Sequence, residues 1–373
     1  MTHSARQWLQ KIMALPFSRL PVNKTIRIMN VCGGHERSIT QSGLRDVLPE
    51  QIELIPGPGC PVCVCPEHTI QAAIELSQQP RITIASFGDM LHVPVSSSHI
   101  DIRSLEAART AGGRVLAIAS PQEVLSIAEG RPTDTVVFFV AGFETTMAPV
   151  AAMIAQGVPD NVKFLIAGKR TWPAVSLLLE SPDNQLDGLV APGHVATIMG
   201  AREWAFVSNQ FSLPVAVAGF TLESLLPAIY SVCTQYFSGR PALMNCYPQL
   251  VRSDGNLRAQ ELLDHVFEID NVHWRGIGQI ISSGYKLRSE YAGLDVFASG
   301  LVIEKVSNNS ASDLAAGCAC DKVVLGQVKP DECRLYGKAC VPAKPYGPCM
   351  VSEEGACHIW WQNGVRQKMS VPV

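Results

Sequence analysis

An α/β fold built on two mostly parallel sheets, with a smaller loop-rich C-terminal domain, is predicted for this chain from three observations. Short, nearly continuous apolar runs recur along the first two-thirds, most end in a glycine-containing turn, and helix-compatible stretches separate them. Strands covered on both faces read as such runs, and the helical stretches supply the crossovers that parallel neighbours require. A length of 373 residues and 47% hydrophobic content allow a large core shared among two or three domains. The expected division is an α/β domain over 1–131, a second over 132–240, and a C-terminal domain over 241–373.

In chain order, the first run is 26–31, ending at Cys32-Gly33-Gly34 and followed by a helix-compatible stretch to 46. The second, 52–55, ends at Gly57-Pro58-Gly59-Cys60. Runs over 82–87 and 115–119 end at Gly88-Asp89 and at Ser120-Pro121, a pair suited to start a helix because Ser caps and Pro fits the first turn. The pattern repeats over 135–141, 162–167, 186–191 and 214–218, and a helix over 222–237 closes the second domain. Beyond Gly239 the periodicity weakens: 256–266 reads as a helix, the stretch after Trp274 becomes polar and turn-rich, and past Ala316 cysteine, glycine and proline dominate.

Charge and length exclude several roles. A formal net charge of −3 without a long Lys/Arg run offers no footprint for nucleic acid or an anionic membrane. No segment approaches the roughly 18–20 consecutive apolar residues that span a bilayer, and the opening residues lack an uninterrupted signal-peptide core. The expected location is the cytoplasm. There, the twelve cysteines point to metal or redox work rather than to a disulfide framework.

The chemistry concentrates in two places. Cys60 and Cys63 have the spacing at which two thiols either close a disulfide or hold one metal ion, with a helix expected to start near Pro66-Glu67-His68. Cys65 reads as a buried small hydrophobe or a spare ligand, and on an extended chain it would point the same way as Cys63. Cys32 sits in a strand-to-helix turn where the helix dipole would lower its thiol pKa, with His35 and Glu36 one turn along. Downstream, Cys320, Cys333, Cys340 and Cys357 are separated by 12, 6 and 16 residues in a stretch with little apolar periodicity. Four thiolates suit zinc or an iron-sulfur cluster, and spacing does not choose between them; Cys318 and Cys349 add alternative ligands. Asp89, Glu144, Thr145, Thr146, His194 and Asp254 also fall near turns, where each serves as an ordinary cap or turn residue. No P-loop motif is present.

Seven ordered motifs between about Ile28 and Trp361 resemble one family. They are Cys32-Gly33-Gly34-His35-Glu36, Gly57-Pro58-Gly59-Cys60-Pro61-Val62-Cys63, Phe87-Gly88-Asp89-Met90, Gly142-Phe143-Glu144-Thr145-Thr146, Pro192-Gly193-His194, Trp274-Arg275-Gly276-Ile277-Gly278 and the cysteine tail ending at Cys357. Together they are similar to the hydrogenase maturation protein HypD family. The resemblance implies two α/β domains plus a C-terminal domain with a 4Fe-4S cluster. It implies a cytoplasmic scaffold that, with the small partner HypC, holds iron while two cyanides and one carbon monoxide are attached. The cyanides come through HypF and HypE, and the hydrogenase large subunit is reached through HypC. By motif, Cys32, Cys60 and Cys63 resemble the essential iron-site cysteines, with His35 and Glu36 tuning or protonating around them, and Cys320, Cys333, Cys340 and Cys357 resemble the cluster ligands. Val95, Thr221 and Cys246 depart from the family pattern without touching any of these positions. A thiol-disulfide oxidoreductase and a binding module with a structural zinc tail are the rival readings.

Overall fold

The computed structural model of the protein describes residues 2–96, 101–301 and 313–366. Nine strands build two parallel sheets. The first joins β1 (Ile26–Asn30) and β2 (Ile52–Pro56); the second is formed by β3 (Ile82–Phe87), β4 (Val115–Ile118), β5 (Thr135–Gly142) and β6 (Val162–Gly168). The chain then returns to the first sheet with β7 (Gly188–Pro192), β8 (Val215–Ala218) and β9 (Leu243–Asn245). The strand orders are β2-β1-β7-β8-β9 and β4-β3-β5-β6. The predicted runs are therefore strands, each within a residue or two of its expected limits.

The division of the chain differs from the expected one. The 131/132 boundary cuts through the second sheet, since β3 pairs in parallel with β5 from Ile82↔Thr135 onward. The first sheet is discontinuous, because β7 pairs with β1 at Ile28↔Gly188. The 240/241 boundary leaves β9 on the wrong side, as it pairs with β8. Apolar runs identify buried strands but carry no label for their partners, and a long excursion that returns to its own sheet leaves no local mark.

A hairpin also replaces the expected turn-rich stretch: β10 (Phe267–Trp274) and β11 (Gly278–Leu287) pair antiparallel, with a bulge between Asp270 and Val272. Four consecutive residues of β10, Glu268 to Asn271, are exposed, which hides the strand from a search for apolar runs. Phe267, Tyr285 and Leu287 join a core cluster with Phe138 of β5 and with Leu263 and Val266 of the helix Leu257–Val266. That helix is capped by Asn256, whose side chain accepts from the Ala259 N–H.

The cysteine-rich tail is loop-rich as expected, yet it is not a separate body. One buried cluster contains Cys60, Cys63 and Cys65, Val137 and Phe139 of β5, Trp274, and Cys320, Cys333, Cys340, Cys349 and Cys357. Polar contacts tie the tail to both sheets. Asp89, just after β3, accepts from Ser352 Oγ at 2.9 Å and Glu353 N–H at 3.1 Å, while Arg37 donates to the Glu353 carbonyl at 2.6 Å. Among the described residues, no helix is long and apolar enough to cross a membrane.

Candidate functional site

In an open parallel sheet a ligand crevice forms where successive crossovers leave in opposite directions. In the first sheet that point lies between β1 and β7, since β2 is added on one side of β1 and β7 on the other. Beyond the carboxyl end of β1 comes Cys32, the N-cap of the helix Gly33–Gln41. Beyond β2 comes the turn carrying Cys60 and Cys63. The three cysteines line one cleft of about 290 Å³, counted out to open solvent. Each follows a strand of the same sheet, so its carboxyl edge brings Cys32 and Cys60 together.

Close backbone contact fixes it. Gly33 N–H donates to the Gly59 carbonyl at 3.1 Å, and a Cβ on Gly59 would run into the Cys32 backbone. Replacing Gly59 with Ala is therefore expected to cost about 1–3 kcal/mol through overpacking, read as a lower denaturation midpoint. It should also separate Cys32 from the dithiol turn, seen as faster alkylation of Cys32.

Cys60 and Cys63 form a disulfide, and the Cys63 N–H points at Cys60 Sγ, 3.1 Å away. After reduction the same N–H favours a thiolate on Cys60. Residues 61–64 are turns rather than extended chain, so the expected alignment of Cys65 with Cys63 does not arise. Cys65 is fully buried, and burial pushes its thiol up to about 12. The helix Glu67–Ser77 follows, with Pro66 as its N-cap.

Cys32 does not have the lowered pKa expected at a helix start. Packing around the thiol pushes it up to about 12, and the Glu354 charge adds to this against main-chain hydrogen bonds from His35 and Gly34. Desolvation outweighs one short helix end.

His35 and Glu36 play different parts. The His35 imidazole is buried against Phe220, with ring centroids 5.0 Å apart, and its Nε2 donates to the Ala218 carbonyl at 3.0 Å. Burial lowers its pKa to about 4, which keeps it neutral and unable to donate as an imidazolium near pH 7. Glu36 lines the cleft. Burial alone would raise its carboxyl, but Arg45, bonding both oxygens at 2.9 and 2.8 Å, more than offsets this and holds it below the ordinary range. Asn30, Thr40 and Trp360 also donate to it, at 2.9, 3.0 and 2.6 Å. Glu36 is an ionised anchor, tying the Cys32 helix to Trp360 in the helix Ala356–Gln362 that carries Cys357.

Cys320, Cys333, Cys340 and Cys357 line a second, small cavity together with Cys318. All four predicted ligands thus share one set of walls, and a soft, thiol-rich lining fits a thiophilic cofactor. Among the described residues, no group of three or more His, Cys, Asp or Glu side chains converges to hold a single ion. Hydrogen bonds from Cys318 and Cys349 hold the Cys320 thiol well below its ordinary pKa. The neighbouring Cys320 and Cys357 thiols push the Cys349 thiol well above its ordinary pKa. Cys349 lines the first cleft as well, so it stands between the two thiol groups. Its position between two proposed ligands marked it only as an alternative. Asn30, Arg45, Glu354 and Trp360 carried no sequence signal, because each reaches the site through tertiary packing.

Comparison with known proteins agrees with this arrangement. The HypD family profile, described as "Hydrogenase formation hypA family", matches residues 3–364. The chain is 39% identical over 352 residues to "Hydrogenase maturation factor HypD2" of Bradyrhizobium diazoefficiens, covering 91% of this chain and 90% of that one. To "Hydrogenase maturation factor HypD" of Azotobacter vinelandii it is 36% identical over 380 residues, covering 99% and 96%. To the Escherichia coli protein of the same name it is 37% identical over 343 residues, covering 91% and 89%. Matches of this extent, on a chain whose CxxC turn and cysteine tail meet in one core, show that it belongs to the HypD family of hydrogenase maturation factors.

Proposed function

We infer that the chain is a cytoplasmic scaffold on which thiolates of the cleft hold an iron atom while cyanide and carbon monoxide are attached. A HypC-type small partner shares the iron, HypE with HypF supplies cyanide, and the hydrogenase large subunit receives the product through HypC. Iron that takes up three diatomic ligands needs few protein donors and open positions, and soft thiolates donate charge to iron that back-bonds to such ligands. Cys32, Cys60 and Cys63 provide soft donors that line one cleft.

The observation that carries the redox part is Cys349, which lines the dithiol cleft and whose thiol is acted on by Cys320 and Cys357 of the second cavity. Cys320, Cys333, Cys340 and Cys357 would hold a 4Fe-4S cluster there, with Cys318 the alternative to Cys320 at the same wall. When bound, such a cluster supplies single electrons. The Cys60–Cys63 disulfide takes up two electrons and two protons to become two thiols, and its reduced form exposes the donors for iron.

Replacing Cys349 with Ala tests this route. Anaerobically prepared wild-type and variant chains should both hold about four irons and no zinc. Reduction of the Cys60–Cys63 disulfide by dithionite, followed by thiol labelling, should slow in the variant by roughly tenfold to a hundredfold. An unchanged rate would remove Cys349 from the route. One zinc per chain would remove the electron source and favour a structural tail, and turnover of a protein disulfide by the chain alone would favour an oxidoreductase.

A further inference from the structure

Asn30, the last residue of β1, lines the cleft with Cys32, Cys60 and Cys63 and is only 2% exposed. Its side-chain nitrogen donates to Glu36 Oε2 at 2.9 Å and to the Ile55 carbonyl at 3.2 Å. Both partners are acceptors only, so the amide has one orientation; turning it over would set oxygen against oxygen twice. The Asn30 main-chain carbonyl is engaged by the Gly57 N–H at 2.9 Å. What remains is Oδ1, which is buried and has no hydrogen-bond partner among the described residues. An unpaired buried oxygen of this kind costs about 1–3 kcal/mol. The neighbouring disulfide sulfurs carry no hydrogen to offer it.

We propose that Asn30 reads the hydration state of the iron cargo: Oδ1 accepts a hydrogen bond from a water molecule bound to the incoming ferrous ion. This deepens the iron-scaffold reading and rests on it. Water on a divalent ion is a strong donor, whereas cyanide and carbonyl carry no hydrogen. Each cyanide enters by substitution: one iron–oxygen bond breaks, one iron–carbon bond forms, the water leaves, and no electron changes hands. The replaced position then presents a lone pair where a hydrogen had been, and acceptor faces acceptor. Asn30 thus favours the aquated ion that arrives and disfavours the ligated iron that must depart. That is discrimination by one attractive and one repulsive contact from the same atom.

The test uses the full chain with its HypC-type partner, kept anaerobic. Wild type and Asn30→Leu are loaded in one preparation with ferrous ion alone. In another they are isolated with iron that shows cyanide and carbonyl infrared bands. Iron is then drawn off by a chromogenic chelator. In Asn30→Leu the affinity for ferrous ion should fall about three- to tenfold, the net worth of one hydrogen bond, while cyanide-bearing iron leaves at the wild-type rate or more slowly. Asn30→Ser, whose hydroxyl can donate to Glu36 and still accept, should keep more ferrous affinity than Leu and guards against a Leu variant that fails to fold. Equal weakening of both iron forms would mean a merely loosened cleft and overturn the proposal, as would an unchanged ferrous affinity. A wild-type complex that shows the infrared bands but takes up no ferrous ion would overturn the role of Asn30 alone. One with neither property would overturn the iron-scaffold reading together with it.

Discussion

Replacing Cys60 with Ala is expected to abolish the cyanide and carbonyl infrared bands of the complex purified with the HypC-type partner. Three features single out this thiol. It lines the cleft, its neighbour Gly59 accepts from Gly33 in the Cys32 turn, and it receives the Cys63 N–H at 3.1 Å. That N–H makes Cys60 the better thiolate of the pair once the disulfide is reduced. A variant lacking it loses both an iron donor and the redox step that exposes the other. The comparison within the same turn is Cys65→Ala, whose thiol is fully buried and raised to about 12, and which should keep the bands. Full-intensity bands in the Cys60 variant would sink the iron-site assignment, and loss of the bands in both would point to damage to the turn.

The second large effect belongs to stability. Replacing Glu36 with Ala should destabilise the protein by about 3 kcal/mol, at the lower end for breaking a buried ion pair because Arg45 keeps partial access to water. The exposures are 24% for the Arg45 side chain and 2% for Glu36. Trp360 Nε1 and the Asn30 amide would lose an acceptor in the same step. The pH dependence follows from the lowered carboxyl. The Glu36 contribution is fully present above its ordinary value of 4.5 and is lost as pH falls through the lower folded value. Wild-type stability should therefore fall more steeply than that of the variant on acidification below about 4.5, measured by denaturant titration at several pH values. Parallel curves would show that folding leaves the Glu36 pKa unshifted.

The strands were legible because buried parallel strands leave continuous apolar runs, and the glycine turns marked where each one ends. Cys32 and Cys60 were legible as neighbours because both follow strands, and strand ends collect at one sheet edge. Strand order was not, since Ile28 meets Gly188 across a whole inserted sheet and nothing near either residue says so. The reversed shift at Cys32 has the same origin: Glu354 and the packing around the thiol come from the far end of the chain. Local sequence showed the helix dipole but not the desolvation that overrides it. The hairpin was hidden by its exposed face.

The single buried cluster shared by the dithiol turn, β5 and the tail has a thermodynamic consequence. A segment that cannot close its own core folds only as far as its neighbours and its bound group allow. Any cofactor held by the tail thiols would then act as a folding ligand for the second sheet, its contribution growing with the logarithm of one plus the ratio of its free concentration to its dissociation constant. Loading of the tail and completion of the cleft lined by Cys32, Cys60 and Cys63 would become one linked equilibrium. A chain that has not been loaded would then present a poorly formed cleft, so the order of assembly is written into the packing.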